Sequence, residues 1–134
     1  MIKSFRGKYD FLSNYYRHGG QITAEHIYQA MKTESIVDQI LILSAQTPGD
    51  AKRLGQQVTL RRDWDRKKIY VMETILLCKF APGSQEAEQL LATGDEELVE
   101  GNTWNDTFWG VCRGEGENWL GKLLMKVRSG LQKN

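Results

Sequence analysis

Glu25, Gln29 and Lys32, in the stretch TAEHIYQAMK from Thr23 to Lys32, are separated by four and three positions. In a helix that spacing stacks a carboxylate, an amide and an ammonium along one face. The face suits work on a sugar phosphate: the carboxylate meets the ring, while the ammonium holds a phosphate or orients the carboxylate. Thr23 is a helix cap by type, which puts Glu25 in the first turn. There the helix N-terminus favours the ionised carboxylate, better suited to stabilising an oxocarbenium ion or activating water than to donating a proton. The competing reading is an exposed polar face with a weak intrahelical pair.

Asp106, in GNTWNDTFWG, is the distant acid expected to face Glu25. Trp104, Phe108 and Trp109 flank it in sequence, and Asn105 and Trp109 are candidate substrate contacts. Aromatic walls that exclude water would let Asp106 polarise a ribose hydroxyl or a water. A small hydrophobic cluster with the acid exposed fits the same residues. Glycoside cleavage uses two carboxylates because protonation and water activation occur on different sides of the ring. An N-glycoside with an electron-poor leaving group needs little acid help, so one strong carboxylate can do most of the work. Trp64 follows Arg61 and Arg62. Its ring either pins a helix to the core or stacks on a planar base, worth roughly 1 to 3 kcal/mol, with either arginine available as a phosphate fork.

Other chemistries are poorly represented. GVCRGEG, Gly110 to Gly116, lacks the spacing and the Lys-Ser/Thr ending of a P-loop. Cys112 has no local histidine partner, although His18 and His26 are present elsewhere. Cys78 and Cys112 have no metal-ligand spacing, so neither a metal nor a cofactor is expected, and His26 is better placed as a support for Glu25 or a core-edge residue. Both cysteines sit among apolar neighbours and are expected in the core, in keeping with a reducing, cytoplasmic setting.

The 134 residues, 40% apolar and 26% charged, are sized for one domain, residues 1–134. Runs such as Ile40 to Leu43 and Ile75 to Cys78 are far below the roughly 18 residues of a membrane span, and MIKSFRGKYD shows no apolar leader core. A net charge of +1 conceals blocks: residues 51–80 carry eight basic and three acidic side chains, residues 81–117 one and nine. Lys52, Arg53, Arg61, Arg62, Arg66, Lys67 and Lys68 either decorate a solvated face or rim a site for a phosphorylated ligand or a nucleic acid backbone.

The elements that must position these groups follow from pattern. Gly19 and Gly20 mark a turn before the Thr23 helix. Ser35 to Ser44 is dense enough in apolar residues to be a central helix. Thr47, Pro48 and Asp50 start a short helix running to Gly55. Asp63 to Phe80 is a long helix stopped by Pro82 and Gly83, and Ser84 to Leu91 a short one ending at Gly94. Residues 95–117 are mostly loop, a length that calls for a functional reason. Asn118 is expected to cap a final helix from Trp119 to Ser129, in which Gly121 admits a close helix neighbour. The fold class is mainly α, or α+β with minor short strands.

FLSNYY (Phe11 to Tyr16), TAEHIYQAMK (Thr23 to Lys32), PGDAKRLG (Pro48 to Gly55), LRRDWDRKKIYVM (Leu60 to Met72), NTWNDTFWG (Asn102 to Gly110) and GEGENWLGKLLMKVR (Gly114 to Arg128) occur in this order. As a set they resemble the YbiA-like family, also called NADAR for its association with NAD and ADP-ribose. The resemblance implies a compact single-domain YbiA-like fold and metal-independent hydrolysis of N-glycosidic bonds. It implies two substrate classes: ADP-ribose on guanine, as nucleotide or in DNA, and the ribosylamino-pyrimidine phosphates that begin riboflavin synthesis. Position by position, the family's catalytic glutamate falls on Glu25, its tryptophan on Trp64 and its aspartate on Asp106. Asn14 and Lys32 resemble pocket residues, and Arg6 and Gly7 the entrance. The expected partner is thus a phosphorylated ribosyl substrate, with transient DNA contact and no membrane. A module that binds ADP-ribose or nucleotide without turnover is the alternative from a different class.

Overall fold

The computed structural model describes residues 1–17 and 22–133. The expected turn at Gly19 and Gly20 lies outside them. The chain is mainly helical with a minor strand pair, the fold class expected, and forms two compact units: Asn14–Ile75, and Met1–Ser13 with Leu76–Asn134.

The first unit is built on three short helices, α1 (Ala24–Met31), α2 (Ile36–Leu43) and α3 (Pro48–Gly55), each packed against the other two. Each starts at a hydroxyl cap: Thr23, Ser35 and Thr47 accept from the backbone N–H three residues on, satisfying a donor that the first turn leaves free. Ala30, Ile42 and Ala51 form the core between them, lined by Leu43, Ala45, Leu54 and Val58. Two alanines at that junction let the helix axes approach. The density of apolar residues in α2 does not make it central: Ile36, Val37, Ile40 and Leu41 are exposed, and only Ile42 is buried. An eight-residue helix between two small neighbours has one narrow buried stripe, and α2 carries more apolar residues than that stripe holds.

Helix α4 (Trp64–Lys79) begins in the first unit and ends in the second, which also contains a 3-10 helix (Gly7–Leu12), α5 (Gln85–Ala92) and α6 (Trp119–Gln132). The 3-10 helix has no periodic signature and was not expected. Ser84 caps α5 through the N–H of Ala87. A two-residue parallel pair, β1 (Gly101–Asn102) and β2 (Val111–Cys112), aligns Gly101 with Val111, and Ile2 bridges to Leu98. Residues 95–117 are otherwise irregular, as expected.

Three expectations are corrected here. Asn118 does not cap α6 with its side chain; its φ is 54°, and its amide accepts from Glu100 N–H at 3.0 Å and donates to Leu98 O at 2.9 Å. The close neighbour of Gly121 is that same Leu98 carbonyl with the Asn118 amide, not a helix. Cys78 is exposed on α4, whereas Cys112 is buried as expected; both are free thiols. The line of α4 that carries Cys78 also carries Lys67 and Thr74 and faces outward, while Met72, Ile75, Leu76 and Phe80 are buried.

Candidate active site

Glu25 is buried at 8% exposure in the first turn of α1. Its N–H, one of the donors a helix start leaves free, donates to Asn14 O at 3.0 Å. Its carboxylate Oε2 accepts from Gln29 Nε2 at 2.5 Å, one turn further along the same face. The start of this helix is held by His26, which is fully buried. His26 Nε2 lies 2.9 Å from Ala45 O, a carbonyl that only accepts, so this nitrogen carries the proton. Nδ1 is then free to accept from Thr23 N–H at 3.1 Å, while Thr23 Oγ1 accepts from His26 N–H. A histidine thus closes a reciprocal cap usually made by Glu or Gln. It fixes the turn that presents Glu25, which is the supporting role anticipated for it.

Lys32 ends α1, its Nζ 5.6 Å from the centre of the Tyr28 ring. Burial lowers the pKa of this ammonium; Lys52 and Lys68 push the same way and Glu25 opposes them. The Lys32 ammonium thus sits in the field of two further lysines as well as of Glu25, a local positive charge that favours an anionic ligand. The Tyr15 phenol is pushed up to about 12, first by burial and then by the Glu25 charge, with Arg53 opposing. Arg61 closes the other end of α1: its Nε donates to Met31 O at 2.6 Å and its N–H to Lys32 O at 2.7 Å. That edge of its guanidinium serves carbonyls the helix end leaves free, while Arg62 is exposed. Trp64 is buried at 6% exposure and meets Tyr28 with ring centres 5.5 Å apart. Asn14 donates through Nδ2 to Met72 Sδ at 3.5 Å. Its buried Oδ1, like Oε1 of Gln29, has no hydrogen-bond partner among the described residues. Glu25, Lys32, Asn14, Trp64, Arg61 and Arg62 all belong to the Asn14–Ile75 unit.

Asp106, Asn105, Trp109, Arg6 and Gly7 belong to the other unit. Asp106 Oδ1 accepts from the N–H groups of Phe108 at 3.2 Å and Trp109 at 2.9 Å. The carbonyls of these two residues accept from Trp119 and Leu120, the first two residues of α6. One carboxylate oxygen thereby shapes the loop that satisfies a helix start. Asn102 organises the same loop, accepting from Trp104 and Asp106 N–H and donating to Glu100 O and Asp106 O. Arg6 lies 6.0 Å over the Trp104 ring, which is 50% exposed, and Gly7 has a φ of 59°. Asn105, with a φ of 66°, accepts from Cys112 Sγ at 3.8 Å. Trp109 is half-buried and edge-on to Phe108 at 4.8 Å.

Two contributors escaped the reading of residue types. Asn102 acts through backbone partners, which no short motif reports. Gly55 is the second: a Cβ there would overlap Gln29 Oε1 and crowd its amide carbon, so the absence of a side chain on α3 makes room for Gln29. Its position at the end of PGDAKRLG suggested only a helix stop.

The profile of the NADAR domain matches residues 4–132. An N-glycosidase of Nostoc punctiforme is 44% identical over 132 residues, covering 90% of this chain and 84% of the relative. A riboflavin biosynthesis protein of Vibrio vulnificus is 38% identical over 133 residues, but the chain spans only 36% of that protein's length. The solved structure of Escherichia coli YbiA superposes with a TM-score of 0.81 at 32% identity, covering 99% of this chain and 88% of that one. A profile match over nearly the whole chain, with full-length relatives at this identity, establishes that the chain belongs to the NADAR domain family.

Proposed function

We propose that this protein hydrolyses an N-glycosidic bond between a ribosyl group and a nitrogen heterocycle, and that its substrate is ADP-ribosylated guanine, as nucleotide or in DNA. The observation that carries the reading is the buried Glu25 carboxylate, hydrogen-bonded to Gln29 on the helix that ends at Lys32, an ammonium that feels the charges of Glu25, Lys52 and Lys68. An acid with cations around it matches a sugar whose anomeric carbon becomes positive in the transition state and whose substituents are phosphates. The names of relatives as N-glycosidases support the reaction class.

In this mechanism the C–N bond breaks with its electron pair leaving on nitrogen. Glu25 stabilises the oxocarbenium-like ribosyl and takes a proton from the water that bonds to the anomeric carbon. The departing base regains a proton from solvent or a neighbouring acid. The lysines hold phosphate, and Trp64 with Asn14 contacts the base and sugar. Asp106 is the second acid on the strength of the family resemblance; its second carboxylate oxygen is the one left over from shaping the loop.

A second reading, hydrolysis of ribosylamino-pyrimidine phosphates, is favoured by relatives named riboflavin biosynthesis proteins in Vibrio vulnificus and maize. Product release measured by mass spectrometry separates the two. Parent and Glu25→Gln proteins are incubated with guanine-linked ADP-ribosylated DNA and, in parallel, with the pyrimidine phosphate. Release of ADP-ribose that falls on the order of 1,000-fold in the variant supports the first reading. Turnover of the pyrimidine alone selects the second, and binding of either without turnover makes the protein a ligand-binding module.

A further inference from the structure

Gln29 is 3% exposed, and its two ends are unequally used. Nε2 donates to Glu25 Oε2 at 2.5 Å; because a carboxylate only accepts, this contact fixes which end of the amide is nitrogen. Oε1 is then a buried acceptor with no donor among the described residues. A glutamine kept only for packing satisfies both ends, since a buried unpaired carbonyl costs about 1 to 3 kcal/mol. Gly55 supplies a third, independent observation. Any side chain there would displace the Gln29 amide, so a second helix is shaped around this one group.

Resting on the function proposed above, we infer that Gln29 is the positioning residue for Glu25: it holds the carboxylate by one oxygen and keeps its own carbonyl for a donor on the substrate. A donor one turn away on the same helix restricts rotation of the carboxylate that would meet the reacting sugar. Groups that share an electrostatic interaction with Glu25 include the Tyr15 phenol and the Lys32 ammonium, with Arg53 opposing Glu25 at Tyr15 and Lys52 and Lys68 acting on Lys32. All of them are unchanged by substitution at position 29.

The test uses Gln29→Met, Gln29→Glu and Gly55→Ala in the full chain. Glu25 is followed by its side-chain carboxyl carbon resonance in 13C-labelled protein, a readout that needs no turnover. In Gln29→Met the loss of a donor to the charged form should raise the titration midpoint of Glu25. Catalytic turnover by kcat should fall about 100-fold with a much smaller change in KM, the pattern of a misplaced reacting group. Gln29→Glu keeps the shape but sets two carboxylates in contact that cannot both ionise. Its activity should survive only on the acid side of the shared proton and vanish as that proton is lost, whereas the parent should keep its activity across that range. Gly55→Ala should move the Glu25 midpoint in the direction of Gln29→Met while the helix content is kept.

A Glu25 titration unmoved in folded Gln29→Met, or a pH profile of Gln29→Glu that matches the parent, overturns the inference. If the parent turns over neither substrate while Glu25's midpoint still shifts, the hydrolase reading fails and the positioning of Glu25 by Gln29 stands.

Discussion

At the scale of single residues, the two acids are built differently, and their variants separate accordingly. Asp106 serves the loop with Oδ1, and an asparagine keeps that acceptor while removing the charge. Asp106→Asn is therefore expected to unfold within about 0.5 kcal/mol of the parent. Asp106→Ala leaves the Phe108 and Trp109 N–H groups without their acceptor and should cost about 1 to 2 kcal/mol in urea denaturation. Equal loss of turnover in both variants would then report the charge, not the loop. Lys79 offers a pH-dependent counterpart. Burial pulls its ammonium down to about 8 against the attraction of Glu86, Asp10 and Glu100, and its Nζ donates to Ser13 O at 2.8 Å. In the unfolded chain an ordinary lysine titrates near 10.5. Between those values the unfolded state binds more protons, so stability rises with pH across the window and the charged form costs stability below it. The parent, compared with Lys79→Met by denaturation from about pH 7 to 10.5, should show this extra rise, and the variant should lack it.

At the scale of elements, caps were legible because they are local. Thr47, Pro48 and Asp50 announced α3, and Thr47 Oγ1 accepts from Asp50 N–H at 3.0 Å. Thr47→Ala should lower the unfolding free energy by about 1 kcal/mol. The orientation of α2 was not legible. Its sequence IVDQILIL is apolar around most of its circumference, so periodicity could not say which side is covered. The structure makes a sharp distinction within one helix. Ile42→Ala should cost about 2 to 5 kcal/mol, whereas Ile40→Gln, at a position 57% exposed, should stay within about 0.5 kcal/mol. Comparable losses at both positions in thermal melts would mean that the outer stripe is covered in solution.

At the scale of the whole molecule, the charge blocks that stand out along the chain are redistributed. Asn14–Ile75 holds nine basic and seven acidic residues, and the other unit nine and ten, because the basic termini join the acidic stretch in one unit. Neither unit has a strong net charge, so attraction for an anionic substrate depends on the local set of Lys32, Lys52 and Lys68. Raising salt from about 50 to 500 mM should therefore raise KM for a phosphorylated substrate several-fold while leaving kcat nearly unchanged. An unchanged KM would remove the lysines from substrate binding. The amino-acid sequence by itself determined the family, the helical class, the caps and the face shared by Glu25, Gln29 and Lys32, because these depend on residue types within a turn or two of each other. Only the tertiary structure decided that α2 turns most of its apolar residues outward, that Asn102 and Asn118 hold the 95–118 region through backbone groups, and that Gly55 is hollowed for Gln29. Each of these depends on what lies across a helix junction or a loop, where distant residues meet and no spacing in the chain records the distance between them.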